Sequence, residues 1–224
     1  LSQYAPNKLK PLTAYNYRQD LEVHMLPVFA NKKIKDISTQ ALTDFFLGLD
    51  KAPETTRKLR TVMSSVFTFG VNQKYIKENP CVGALCKENP VKNKKVKYLN
   101  KQQCQKLMEL TSEYSTFNTI IQFLLFTGLR IGECLALRWR NVDFENNTIS
   151  VNHTLVYYNH RVNGCYFSIN TPKTKAGERE IPMTEGVKKA FIMEKEYQMN
   201  AGIESVSNID GYDDFIFINM LWQW

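Results

Sequence analysis

The stretch TGLRIGECLALRWRNVDFENNTISV, residues 127–151, changes its periodicity midway and decides what kind of fold follows. After the Thr127-Gly128 break a helix starts around Arg130 and turns Ile131, Leu135 and Leu137 inward. Past Asn146-Asn147 the spacing becomes two, with Ile149, Val151, His153 and Leu155 on one side, which predicts a strand. A turn over residues 159–164 then leads to a returning strand at Cys165, Phe167 and Ile169. A third strand, Glu180 to Met183, follows the lysine-containing turn at 173–177, and Thr184 is placed to cap a helix over 185–201. Upstream, Asn100 is placed to cap a helix ending near Ser112. The run NTIIQFLLF, 118–126, lacks a polar face and predicts a helix buried on all sides. Residues 98–224 thus read as mainly α with a small antiparallel sheet of three strands.

Further toward the start, the pattern is helical only. Pro11-Leu12-Thr13 opens a helix over 11–26, proline being suited to a first turn. Ser38 caps a second. Pro53 starts a third that runs to about Tyr75, with Leu59, Val62, Met63, Val66 and Gly70 on its inner face. Arg57, Arg60, Thr61, Ser64 and Thr68 form the opposite stripe. Asn79-Pro80 ends this block. The segment KENPVKNKKVK, 87–97, has five lysines, one glutamate and a proline; it cannot bury a core and reads as a linker. The expected organisation is a helical domain at 1–85, a linker at 86–97 and an α+β domain at 98–224.

Composition limits the function classes. The 224 residues are 43% hydrophobic and 23% charged, as in ordinary globular proteins and unlike disordered or fibrous ones. No apolar run approaches the roughly 18–20 residues of a membrane helix. LSQYAPNKLK lacks a signal-peptide core. Five cysteines with no CxxC pair suggest neither a disulfide framework nor a metal site, so the reading is a soluble protein of a reducing compartment that binds no metal. The net charge of +7 is unevenly placed: residues 1–97 carry 17 Lys+Arg against 8 Asp+Glu, and residues 98–224 carry 12 against 14. A basic first half fits either a polyanion-binding face or a surface tuned for solubility.

Three groups of residues are chemically pointed. Short hydroxyls between arginines, as at Arg57, Arg60, Thr61 and Ser64, let a helix approach phosphates closely; the same stripe also serves as a plain solvated face. Lys92, Lys94 and Lys95 either track a nucleic-acid backbone or make a solvated hinge. Arg130 sits at a helix start, where a cation opposes the helix dipole, and Glu133 lies on the same face. The pair is either a structural ion pair or a held guanidinium that meets an anion.

The blocks TGLRIGE, LRWRNVDFE, TPKTKAGEREIPM and VFTFGVNQKYIKENPC, with IDGYDDFIFIN further on, together resemble the tyrosine recombinase (phage integrase) family, and most closely the integrases of conjugative transposons. The resemblance covers about residues 11–219. It implies a helical core-binding (SAM-like) DNA-binding domain followed by the first part of a tyrosine-recombinase catalytic domain. The implied activity is site-specific breaking and rejoining of DNA through a 3′-phosphotyrosyl intermediate, without metal, ATP or other cofactor. Arg130 matches the arginine that clamps the scissile phosphate, and Glu133 the acid that supports it. Lys173 matches the hairpin lysine that protonates the leaving 5′-oxygen, with Lys175 as the rival position in KTK. The implied partners are double-stranded DNA and, for the full-length protein, three further copies in a homo-tetramer on synapsed DNA. The implied location is the bacterial cytoplasm, at the nucleoid.

The departures also matter. The family's His-x-x-Arg box, its further His or Trp and its nucleophilic tyrosine match nothing here: the histidines, 24, 153 and 160, precede the hairpin lysines, and Tyr197 and Tyr212 precede the expected tyrosine. The expectation is therefore a C-terminally truncated recombinase, inactive alone, with apolar surface of 119–127 left uncovered. A non-catalytic remnant that occupies recombination sites is the alternative, and a structural helical protein is a third possibility.

Overall fold

The computed structural model describes residues 9–88, 98–112, 115–159, 164–172, 174–203 and 208–217, with the side chains of 115–117 left aside. The chain divides into two compact units, Leu1–Val96 and Lys97–Trp224.

The first unit is helical. Helix α1 (Pro11–Asp20) runs into a π turn (Leu21–Met25) and then α2 (Leu26–Phe29). The expected single helix ending at 26 is thus continued and interrupted. Pro27 has no N–H to donate to the turn before it, and the backbone widens there: the Leu26 N–H reaches back five residues to the Leu21 carbonyl. Helix α3 (Thr39–Gly48) starts where the Ser38 hydroxyl accepts from the Ala41 N–H at 3.2 Å. Helix α4 (Pro53–Asn72) buries Thr56, Leu59, Val62, Met63, Phe67 and Gly70. Phe67 takes the inner place expected for Val66, since the larger ring removes more apolar surface from water. Met25, Phe29, Leu42, Phe46, Cys81 and Ala84 complete this core.

The second unit begins with α5 (Lys101–Thr111), closed by a reciprocal cap in which Asn100 and Gln103 exchange backbone-to-side-chain hydrogen bonds of 2.9 Å. Helix α6 (Ser115–Thr127) is less buried than its composition suggested. Phe123 is fully buried, while Leu125 and Phe126 are exposed. Its inner face meets α8 (Glu185–Asn200), where the Phe191 ring lies 4.2 Å from that of Phe123 and 6.1 Å from those of Trp139 and Phe144. Such aromatic pairs add about 0.5–1.5 kcal/mol each beyond their buried area. Between α6 and α8 the described residues form the short α7 (Ile131–Leu135) and five strands: β1 (Val142–Asp143), β2 (Thr148–Val151), β3 (Thr154–Asn159), β4 (Cys165–Asn170) and β5 (Arg179–Pro182).

These strands form two antiparallel sheets, not one. β1-β2-β5 pair with Ile149 opposite both Val142 and Ile181, and β3-β4 make a separate hairpin with Leu155 opposite Ile169. The expected strand through Ile149, Val151, His153 and Leu155 breaks at Asn152-His153, where the Asn152 side chain takes up the His153 ring nitrogen Nδ1. His153 then packs edge-on against Tyr212, ring centroids 4.6 Å apart. Residues 214–216 return to the middle of the unit: the Ile216 N–H donates to the Leu137 carbonyl at 3.0 Å, and Ile216 is fully buried. Among the described residues no helix is long and apolar enough to cross a membrane.

Candidate phosphate site and nucleic-acid face

Gly128 sits at φ +66°, a left-handed turn that ends α6 and frees the chain to restart at Arg130. Arg130 is the N-cap of α7, with extended backbone and not within the helix, so its charge does not stand inside the first turn. Its own N–H donates to Glu133 Oε2 at 3.0 Å, and its Nη1 donates to Glu133 Oε1 at 2.8 Å. The side chain of Arg130 remains 80% exposed while that of Glu133 is 5% exposed. A buried carboxylate thus holds a guanidinium that faces solvent.

A second arginine reaches the same carboxylate. Arg179, the first residue of β5, donates from Nη2 to Glu133 Oε2 at 2.9 Å and from Nη1 to Oε1 at 3.3 Å. Its Nη1 also donates to the Gly177 carbonyl at 3.2 Å. Burial alone would raise the Glu133 carboxyl; the hydrogen bonds from Arg179 and from Arg130 outweigh it and hold the group down to about 2. Glu133 is therefore ionised throughout the neutral range. Sequence reasoning named Arg130 and Glu133 but missed Arg179. The signal was present in REIP: Arg179 shares a strand face with Ile181, and a charge on the inner face of a strand needs a partner.

The lysine turn lies next to this cluster in the chain. Lys175 is exposed on a single 3-10 turn, Lys175–Gly177, closed by the Gly177 N–H on the Thr174 carbonyl at 2.9 Å. Lys173, like Lys92, Lys94 and Lys95, lies outside the described residues.

On α4 the expected stripe divides in two. Arg57 is exposed and only 3.5 Å from Glu54, a loose surface pair, and Thr61 is exposed with its hydroxyl bonded to the Arg57 carbonyl. Arg60 is turned inward. Its Nε and Nη2 donate to the Cys81 carbonyl at 3.2 and 2.9 Å, and Nη2 also to Val82 at 3.1 Å. Ser64 accepts through its carbonyl and hydroxyl from Asn79 Nδ2, at 3.1 and 3.0 Å. Arg60, Ser64 and Thr68, whose hydroxyl accepts from Asn79 Nδ2 at 3.0 Å, thus fasten the 79–82 segment to α4, leaving Arg57 and Thr61 as the outward members that make no bond to it. No group of residues suited to a metal ion occurs among the described residues.

The comparisons agree with this architecture. The model described as "Phage integrase family" matches residues 97–221, and that of the "Phage integrase central domain" matches residues 2–84. A "Transposase from transposon Tn916" of Enterococcus faecalis is 37% identical over 124 residues, covering 54% of this chain and 29% of the relative. The "ICEBs1 integrase" of Bacillus subtilis (strain 168) is 27% identical over 193 residues, covering 84% of this chain and 50% of the relative. The chain therefore spans half or less of the length of these curated relatives. Among solved structures, the Tn1549 transposon integrase in complex with transposon right end DNA superposes with a TM-score of 0.76 at 25% identity, over 96% of this chain and 67% of that one. With its second unit matched almost throughout and its helical unit matched separately, the chain belongs to the phage integrase family.

Proposed function

We propose that the chain is the DNA-gripping and phosphate-clamping part of a site-specific recombinase of a mobile element. In this reading residues 1–85 grip duplex DNA through Arg57 and Thr61, and Lys92, Lys94 and Lys95 of the link at 86–97 follow the backbone. Residues 98–224 present Arg130 to the scissile phosphate. Arg130 carries the reading: a guanidinium 80% exposed, held from behind by a carboxylate that is 5% exposed, is oriented for an anion outside the protein. The relatives' names, a transposase and integrases, supply the substrate class.

Chemically, charge builds on the non-bridging oxygens as a nucleophile adds to phosphorus, and a pre-placed guanidinium meets that charge without reorganising. The bond to the 5′-oxygen breaks, and Lys173 or Lys175 gives that oxygen its proton. In the whole protein a tyrosine is the nucleophile, the 3′-phosphotyrosyl link preserves the bond energy without a cofactor, and four copies act on two synapsed duplexes. The share of that chemistry assigned to the residues named above is the hold on DNA, the clamp on the phosphate and the proton for the leaving oxygen. Selection from a random-sequence duplex pool tests the reading. One enriched motif is expected, and an unenriched pool would reduce the protein to a general polyanion binder.

A further inference from the structure

Arg179 does not belong to the set of residues assigned a role in the reaction, yet its position is unusual for a strand residue in a small sheet. Its planar fork spans three acceptors: both oxygens of Glu133, at 2.9 and 3.3 Å, and the Gly177 carbonyl, at 3.2 Å. Glu133 belongs to α7 and orients Arg130. Gly177 closes the turn that carries Lys175. We propose that Arg179 is a positioning residue that joins the phosphate arginine to the lysine turn, holding Glu133 from behind while fixing the turn through Gly177; this rests on the phosphate-clamp reading of Arg130.

The geometry supports a coupling role over a merely local one. Arg130 has a single side-chain bond to Glu133, so the orientation of Arg130 is only as firm as that of the carboxylate. The carboxylate is fixed by two parallel bonds from Arg179, which is the arrangement a guanidinium favours and a lysine cannot reproduce. Among the described residues, the charged groups that face Glu133 are Arg130 at the start of α7 and Arg179 on β5. β3, packed against Gly132, offers only the neutral Thr154 hydroxyl and Leu155 carbonyl, and α6 bears no charged residue. Burial pushes the Glu133 carboxyl up and the two arginines pull it down to about 2 against an ordinary 4.5, so removing Arg179 leaves burial opposed by Arg130 alone.

The test is side-chain NMR of the Arg130 guanidinium in the 224-residue chain, whose rotation about Nε–Cζ is slow while Glu133 holds it. Wild type, Arg179→Gln and Arg179→Lys are titrated with acid, with the amide spectrum reporting the fold. The held signal should persist in wild type to well below pH 4.5. In Arg179→Gln the midpoint should rise toward the ordinary 4.5, an upward move of about two pH units, and Arg179→Lys should fall between. A folded Arg179→Gln with the wild-type midpoint overturns the proposal; should that variant fail to fold, an unchanged midpoint in Arg179→Lys does the same. A short DNA duplex of about two helical turns then separates this proposal from the reading on which it rests. The duplex should move the Arg130 signal of wild type and, near pH 5, severalfold less that of the variant. A duplex that leaves the wild-type signal unmoved overturns the phosphate-clamp reading and the positioning role with it. One that moves both proteins alike near pH 5 overturns the positioning role alone.

Discussion

Gly132 lies so close to Leu155 that a β-carbon on it would stand 2.8 Å from the Leu155 carbonyl oxygen, and 2.5 Å from the hydroxyl of Thr154. Helix α7 therefore approaches strand β3 with backbone against backbone, and the neighbours of Gly132, Ile131 and Glu133, take their directions from that approach. Gly132→Ala should push α7 away. The overpacking cost is about 1–3 kcal/mol, read as a lower midpoint in urea, and the Arg130–Glu133 contact should loosen with it.

Arg57 and Arg60 should separate cleanly. Arg57→Ala is expected to flatten the salt dependence of duplex binding by about 0.9 in logarithmic slope while leaving the fold unchanged. Arg60→Ala should cost about 1–3 kcal/mol of stability instead, because the Cys81 and Val82 carbonyls lose a charged donor. Urea titration beside a salt series of binding isotherms checks both. Equal effects of the two variants on the slope would return Arg60 to the outward face.

Glu133 sets an acid limit on the second unit. Its folded value, about 2, lies below the ordinary 4.5, so the group adds stability that is fully present above about pH 4.5 and lost as pH falls toward 2. Because Arg130 is exposed and screened by water, the contribution is about 1–3 kcal/mol. Glu133→Gln should lower stability at neutral pH and flatten this acid limb. Unfolding measured at neutral pH and near pH 3 should show the difference shrinking with acid.

In a whole recombinase Lys173 and Lys175 should differ in their response to the leaving group. Loss of the proton donor should slow cleavage of ordinary DNA by roughly 10²–10⁴-fold and leave a 5′-phosphorothiolate substrate, which needs no protonation, cleaved at the normal rate. Lys173→Ala and Lys175→Ala compared on both substrates assign the role.

Features governed by nearby residues were legible in the sequence. Ser38, Asn100 and Thr184 cap the helices they precede, because a cap is settled within three residues. The Arg130–Glu133 pair, at a helical spacing of three, belongs to the same class. What remained hidden depended on distant partners. Arg60 and Ser64 looked like members of an outward stripe because the acceptor and donor that claim them, at Cys81 and Asn79, are 21 and 15 residues away. Arg179 was hidden for the same reason, with Glu133 46 residues before it. The helix at 118–126 looked buried on composition, and apolar composition does not say how many neighbours a helix has: Leu125 and Phe126 face outward. The break at Asn152-His153 marks a change of pairing partner, from β5 to β4, that alternation alone does not reveal.

The return of residues 214–216 to Leu137 has a consequence for how the chain is made. The core of the first unit uses residues from Met25 to Ala84, all of which exist once synthesis has passed residue 84. The core of the second unit includes Ile216 and so stays open until that residue leaves the ribosome. At roughly 5–20 residues per second the interval is about 7–26 s. Within it Phe123 waits about 5–19 s, and Phe191 about 1–5 s, for the cover that Ile216 supplies, whereas the helical unit can already be complete. Slowing translation should therefore burden the second unit and spare the first, so that aggregates of nascent chain recovered from such cells should expose the segment around Phe123 to protease while the helical unit stays protected.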